Sequence, residues 1–90
     1  MRELRVGDIV RVVSKVSTRY NRRGRIIDYH KKSKNPLIEF FDFISWGHDG
    51  LNNTKSGKRY KSNNCLYLED YEMELSYSFL DLYLKSKQCK

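Results

Sequence analysis

The chain is poor in the residues that hold metals and make disulfides. Its two histidines, His30 and His48, stand eighteen positions apart, and its two cysteines, Cys65 and Cys89, lie in unrelated contexts. No CxxC or HxxxH cluster occurs, so neither a metal site nor a cofactor is expected. One disulfide is compatible with the composition, but such sparse cysteine fits a reducing, intracellular setting better. Gly24, Gly47, Gly50 and Gly57 are too scattered to form a phosphate-cradling loop. No apolar run approaches the roughly 20 residues that a membrane span needs. The opening MRELRVGD contains no apolar secretory segment, which points to a cytoplasmic protein.

What is present suits one small folded domain. Ninety residues lie close to the lower size at which a single core suffices without staples. Hydrophobic residues at 39% and charged residues at 32% place the chain among globular rather than disordered sequences. Aromatic residues make up 13%, and they supply the large buried area per side chain that a small core needs.

Charge of one sign is concentrated. Residues 1–34 hold eleven Lys or Arg against three acids, a net +8, whereas residues 35–90 hold seven against eight, a net −1. Such asymmetry suggests a polyanion or an acidic protein surface as partner, the alternative being a solubilising face.

Along the chain, a Gly7-Asp8 turn leads into a β-branched strand that ends near Lys15 or Val16, with Val10 and Val12 on one face and Arg11 on the other. Residues 17–23 read as a basic loop. Gly24 is expected to redirect the chain with a positive φ before a second strand over 25–29. A basic turn and Pro36 follow, so 24–40 reads as a hairpin. Residues 37–44 form the third strand, inside LIEFFDFISWGHDG, the most apolar stretch of the protein. Ile38 and Phe40 point one way, and Leu37, Glu39, Phe41 and Phe43 the other. Both faces therefore need cover, from the C-terminal segment or else from a partner.

The long loop 45–64 carries Lys55, Lys58, Arg59 and Lys61; a loop of that length is usually functional or disordered. Cys65-Leu66-Tyr67-Leu68 gives a short fourth strand, Glu69-Asp70-Tyr71 a tight helical turn and residues 72–75 a last strand. Ser78-Phe79-Leu80-Asp81 matches a helix-capping pattern. Lys85 and Lys87 suit the end of that helix, which would pack over Phe41 and Phe43. The expected architecture is mainly β, with a five-stranded barrel over 1–76 and a C-terminal helix and tail over 77–90.

The succession VGDIVRV, GRIIDY, PLIEF, a tight turn and a short final strand resembles an SH3-like small barrel, and its first two strands resemble the KOW type. The continuation is similar to small phage and bacterial proteins of this fold, through Gly47-His48-Asp49-Gly50, Cys65-Leu66-Tyr67 and Glu69-Asp70. The resemblance covers roughly residues 5–75. It implies contact with nucleic acid or a nucleoprotein complex, although related barrels bind proteins instead.

The candidate binding residues fall in three groups. Arg19, Tyr20, Arg22, Arg23 and Arg25 surround the first loop; Tyr29, Lys31, Lys32 and Lys34 surround the next turn; Trp46, Lys55, Lys58, Arg59 and Lys61 belong to the long loop. Arginine pairs phosphate in a bidentate manner and lysine acts as a point charge. Tyr20, Tyr29 and Tyr60 lie among these charges, where rings can stack on unpaired bases, with ordinary packing the alternative for Tyr29 and Tyr60. The arginine and lysine groups should lie at opposite ends of one strand.

A second reading is a phage-type protein inhibitor that occupies a host factor's nucleic-acid groove, as inhibitors of bacterial defence nucleases (anti-CRISPR-like proteins) do. Trp46, Phe41 and the basic loop would then be the anchors. Catalysis is not expected. His48, Asp49 and Cys65 supply the atoms of a base and a nucleophile, but a turn histidine and a buried cysteine explain them as well.

Overall fold

The computed structural model describes residues 4–77. They form β1 (Ile9–Val12), β2 (Arg23–Tyr29), β3 (Pro36–Phe40), β4 (Cys65–Tyr67), a 3-10 turn (Asp70–Glu72) and β5 (Met73–Tyr77). The strands make one antiparallel five-stranded sheet in the order β4-β3-β2-β1-β5. The helix expected after residue 77 lies outside the described residues. Among those described, no helix is long and apolar enough to cross a membrane.

The main core forms on one face of the sheet. Val10 and Val12 of β1, Ile26 of β2, Ile38 and Phe40 of β3 and Met73 of β5 pack with Ile44 and Leu68. In β1 and β3 alternate side chains fall on this face, as the period of two requires. Gly24 belongs here as well. It lies within β2 and has no positive φ, contrary to the turn role expected for it. Its need for glycine is spatial: a Cβ there would sit 2.6 Å from both the Glu39 carbonyl oxygen and Ile38 Cγ2.

A bulge in β2 divides the sheet's duties. Ile26 pairs Ile38, but Asp28 pairs Leu37 and Tyr29 pairs Pro36, leaving Ile27 as the extra residue. Without it, alternation from Ile26 would aim the Asp28 carboxylate into the apolar core, at a steep desolvation cost. With it, Asp28 shares the outer face with Leu37, and Tyr29 swings to the core side. There the Tyr29 ring packs against the core, and its hydroxyl donates to the Leu4 carbonyl at 2.9 Å.

Among the described residues, the long loop covers the outer face of β3 and β4; the C-terminal segment expected to cover it lies outside them. Leu37 and Cys65 are fully buried on that face. A Cβ at Gly50 would stand 3.7 Å from Leu37 Cδ2, so the loop runs directly over that side chain. Burying a leucine stabilises by about 2 kcal/mol, and here that gain depends on the loop staying in place. The loop is ordered by its hydrogen bonds. His48 and Cys65 exchange backbone bonds of 3.0 and 3.2 Å, Lys31 N donates to the Asn53 carbonyl at 2.8 Å, and Lys55 N donates to the Tyr29 carbonyl at 2.7 Å.

β3 stops at Phe40 rather than reaching Ile44, and Asn64 supplies the reason. Its Nδ2 donates to the carbonyls of Phe40 (3.0 Å) and Asp42 (2.8 Å), while its Oδ1 accepts from Ile44 N at 2.9 Å. One side chain thus satisfies backbone groups that a neighbouring strand would otherwise take. The segment leaves the sheet, Ile44 turns into the core, and Phe41 and Phe43 are left 56% and 82% exposed.

Candidate functional site

The first cluster of cations is built on β2. Arg23 and Arg25 project from its exposed face, and neither forms an ion pair among the described residues. Arg11 stands directly opposite Arg23 on β1, a like-charge juxtaposition that is unfavourable by itself. It is relieved because Arg11 Nη2 donates to Glu74 Oε1 at 2.6 Å and Nη1 to Asn21 Oδ1 at 2.9 Å. Arg22 has a single long contact, 3.9 Å to Asp42 Oδ2, between two exposed groups. Such a pair contributes little. The cluster therefore offers three guanidiniums that are weakly engaged or free.

The loop before β2 brings Arg22 and Arg23 to one cleft with two aromatic rings. Ser17 Oγ accepts from Arg19 N at 3.1 Å, the Ser17 carbonyl accepts from Tyr20 N at 3.2 Å, and Asn21 adopts φ 68°. Arg19 straps the loop to the 41–46 segment by donating to the Ser45 carbonyl and to Thr18 Oγ1. Phe41 N donates to the Arg23 carbonyl at 3.1 Å, fixing Phe41 beside β2. The result is an open cleft of about 380 Å³ lined by Tyr20, Asn21, Arg22, Arg23, Phe41 and Asp42. Beyond it, Phe43 and Trp46 stand in solvent. Trp46 is 89% exposed and holds a left-handed φ of 67°, a conformation that a bulky residue adopts at a cost.

The second cluster lies at the other end of β2. Seven residues of strand separate the two by about 20 Å. Here Lys31, Lys32 and Lys34 are exposed in a turn held by His30, whose Nδ1 accepts from Lys32 N (3.1 Å) and Ser33 N (3.2 Å). The long loop abuts this turn and brings Lys55, exposed and without an ion pair among the described residues, to the same end. Lys58 and Lys61 are exposed elsewhere on the loop. Arg59 is not free, because it binds Asp49 Oδ2 through Nη2 at 3.0 Å and Nε at 3.1 Å. The Leu51 backbone N–H and then the Arg59 guanidinium hold the Asp49 carboxyl below its ordinary range.

The expected binding residues thus separate into distinct settings. Tyr20, Arg22 and Arg23 meet at the cleft, with Arg25 beside them on the strand. Lys31, Lys32, Lys34 and Lys55 meet at the far end. Arg19 and Arg59 serve as internal straps, and Tyr29 serves the core. Asn21 and Asp42 enter the cleft without having been singled out in the sequence, since an Asn in a basic loop and an Asp between phenylalanines carry no motif.

The titratable groups beneath the long loop hold structure together. Burial alone would raise the Asp28 carboxyl. Hydrogen bonds from Ser56 Oγ, Tyr29 N, Tyr60 OH and Ser56 N outweigh it and keep the group below its ordinary value. Burial lowers the His48 imidazole, opposed in part by Asp49, and its Nδ1 accepts from Gly50 N at 3.0 Å. Burial raises the Cys65 thiol, the reverse of what an activated nucleophile needs. The Tyr67 ring meets both histidines, His30 edge-on at 4.9 Å and His48 tilted at 5.4 Å. No group of three or more His, Cys, Asp or Glu among the described residues could hold a metal ion. No family model, curated protein or solved structure matches the chain.

Proposed function

We propose that this protein is a non-enzymatic, SH3-like binding module of the cytoplasm that docks on nucleic acid or a nucleoprotein complex through its arginine face. The observation that carries the reading is the cleft where Arg22 and Arg23 adjoin Tyr20 and Phe41. Cations supply attraction for phosphate, and rings supply the contact that salt does not screen. The lysine end about 20 Å away adds a second point of electrostatic contact along the same polyanion.

The test is fluorescence anisotropy with labelled DNA and RNA across a salt series. In the triple variant Arg22→Glu, Arg23→Glu, Arg25→Glu, binding should collapse while the melting temperature holds. Replacement of the same three by Gln should reduce the slope of log affinity against log salt by about 2 for single strands or about 3 for duplexes. Undiminished binding by both variants would refute the arginine-face reading.

A second reading rests on Trp46 and Phe43, whose exposure of 89% and 82% is unusual for such large apolar groups. Tryptophan is prominent among the anchors of protein interfaces. A phage-type inhibitor that seats Trp46 in a host nuclease and places the arginines in its nucleic-acid groove would use the same surface. Failure of bare oligonucleotides to bind, with capture of such a nuclease that depends on Trp46, would favour this reading.

A further inference from the structure

We infer that the cleft accepts one unpaired nucleotide of a longer strand, so that the protein prefers single strands to duplexes; this rests on the nucleic-acid reading above. Size is the first argument. Ligand clefts span about 300–1,000 Å³, and one of about 380 Å³ suits a single base with its sugar and phosphate. A duplex buries the faces of its bases in the stack and cannot offer one to a ring inside such a cleft. Both aromatic linings, Tyr20 and Phe41, are partly exposed and therefore accessible to a base.

Charge is the second argument. Among the described residues, Arg23 has no ion pair and the Arg22 guanidinium is held only by the 3.9 Å contact with Asp42, which a phosphate oxygen can replace. Asp42 is the one acid lining the cleft; its side chain is 81% exposed, so solvent screens its repulsion of phosphate. The third argument is continuity. Arg25 follows Arg23 on the same exposed face of β2, and the exposed rings of Phe43 and Trp46 follow Phe41 along the chain. A strand would therefore gain contacts that a free nucleotide could not.

Anisotropy with one labelled oligonucleotide, single-stranded and annealed to its complement, tests this at about 100 mM salt. The single strand is expected to bind more tightly. Tyr20→Ala and Phe41→Ala should each weaken it about 5- to 150-fold while leaving duplex affinity unchanged. Tyr20→Phe, which keeps the ring, should bind like the native chain, and Asp42→Asn should bind more tightly. A nucleoside monophosphate should compete only weakly. Melting curves distinguish loss of a ring from loss of the fold, and the Tyr20 pair carries the test if Phe41→Ala is unstable. Equal or tighter duplex binding, indifferent to Tyr20→Ala, would overturn the inference and leave the nucleic-acid reading standing. A monophosphate that binds as well as the strand would also overturn it. Absence of binding to both oligonucleotides would sink the two together.

Discussion

The Tyr60 hydroxyl donates to Asp28 Oδ2 at 2.8 Å, fastening the long loop to the centre of the sheet. Ser56 adds its hydroxyl and, at 3.4 Å, its backbone N–H to the same carboxylate. The β2 bulge makes this possible by turning Asp28 away from the core. Asp28→Ala should therefore cost about 2 kcal/mol or more in urea unfolding, because several donors lose a charged acceptor. The variant should also be cut faster by trypsin at Lys55 and Lys58. Since the native carboxyl is held below the 3.8 of an unperturbed Asp, its ionised form favours the fold. That contribution is complete above 3.8 and disappears only as pH falls through the lower native value. Unchanged stability in Asp28→Ala would show that the loop is held by other means.

His48 gives stability a second, milder pH dependence. Its ring is shifted below the ordinary 6.5, so the unfolded chain binds the proton more readily than the native one. Stability should then decline as pH drops from about 7 towards 5. The acceptor at Nδ1 is what protonation removes, and Gly50 N is the donor left without a partner. His48→Asn places an oxygen near the same position and should flatten this part of the profile. Melting temperatures of the two proteins across that range provide the comparison, and equal slopes would assign the effect elsewhere.

Gly24→Ala should destabilise by about 1–3 kcal/mol, the usual cost of forcing extra volume into a packed site. Its Cβ would meet the β3 backbone, which cannot move without shifting the β2–β3 register. The comparison that matters is with Gly57→Ala. Gly57 has open space and a φ of 79°, so its penalty is backbone strain alone. Guanidinium midpoints for the pair separate the two mechanisms. A harmless Gly24→Ala would mean that the strands accommodate the methyl by sliding apart.

Much of the sheet was legible because alternation is a local signal. VGDIVRV, GRIIDY and PLIEF each contain a strand, and the arginine and lysine groups lie at opposite ends of β2 as their spacing predicts. What the sequence concealed was non-local. The bulge at Ile27 reverses the faces of Asp28 and Tyr29, and nothing in GRIIDY announces it. The Asn64 clamp ends β3 from twenty residues or more away, so the apolar run through Ile44 reads as strand when taken alone. The cover over Leu37 comes from polar turns, which composition assigns to solvent. Arg19 and Arg59 look like free cations in the sequence and become straps only when Ser45 and Asp49 are brought to them.

Trp46→Gly separates fold from function most cleanly. The tryptophan is nearly all in solvent, so its removal forfeits little packing. Its φ of 67° suits glycine better, and relief of that conformation is worth about 1–2 kcal/mol. Glycine's greater freedom in the unfolded chain offsets roughly 0.5–1 kcal/mol of this. Net stability should thus be unchanged or slightly higher, read as an equal or raised melting temperature. Binding should fall, because a ring able to stack or to fill a partner's pocket is gone. A loss of affinity for oligonucleotides places Trp46 on the strand's path. Intact oligonucleotide binding with lost protein capture assigns it to a protein partner. If the variant melts earlier and binds as before, Trp46 is part of the fold and the exposed-anchor argument fails.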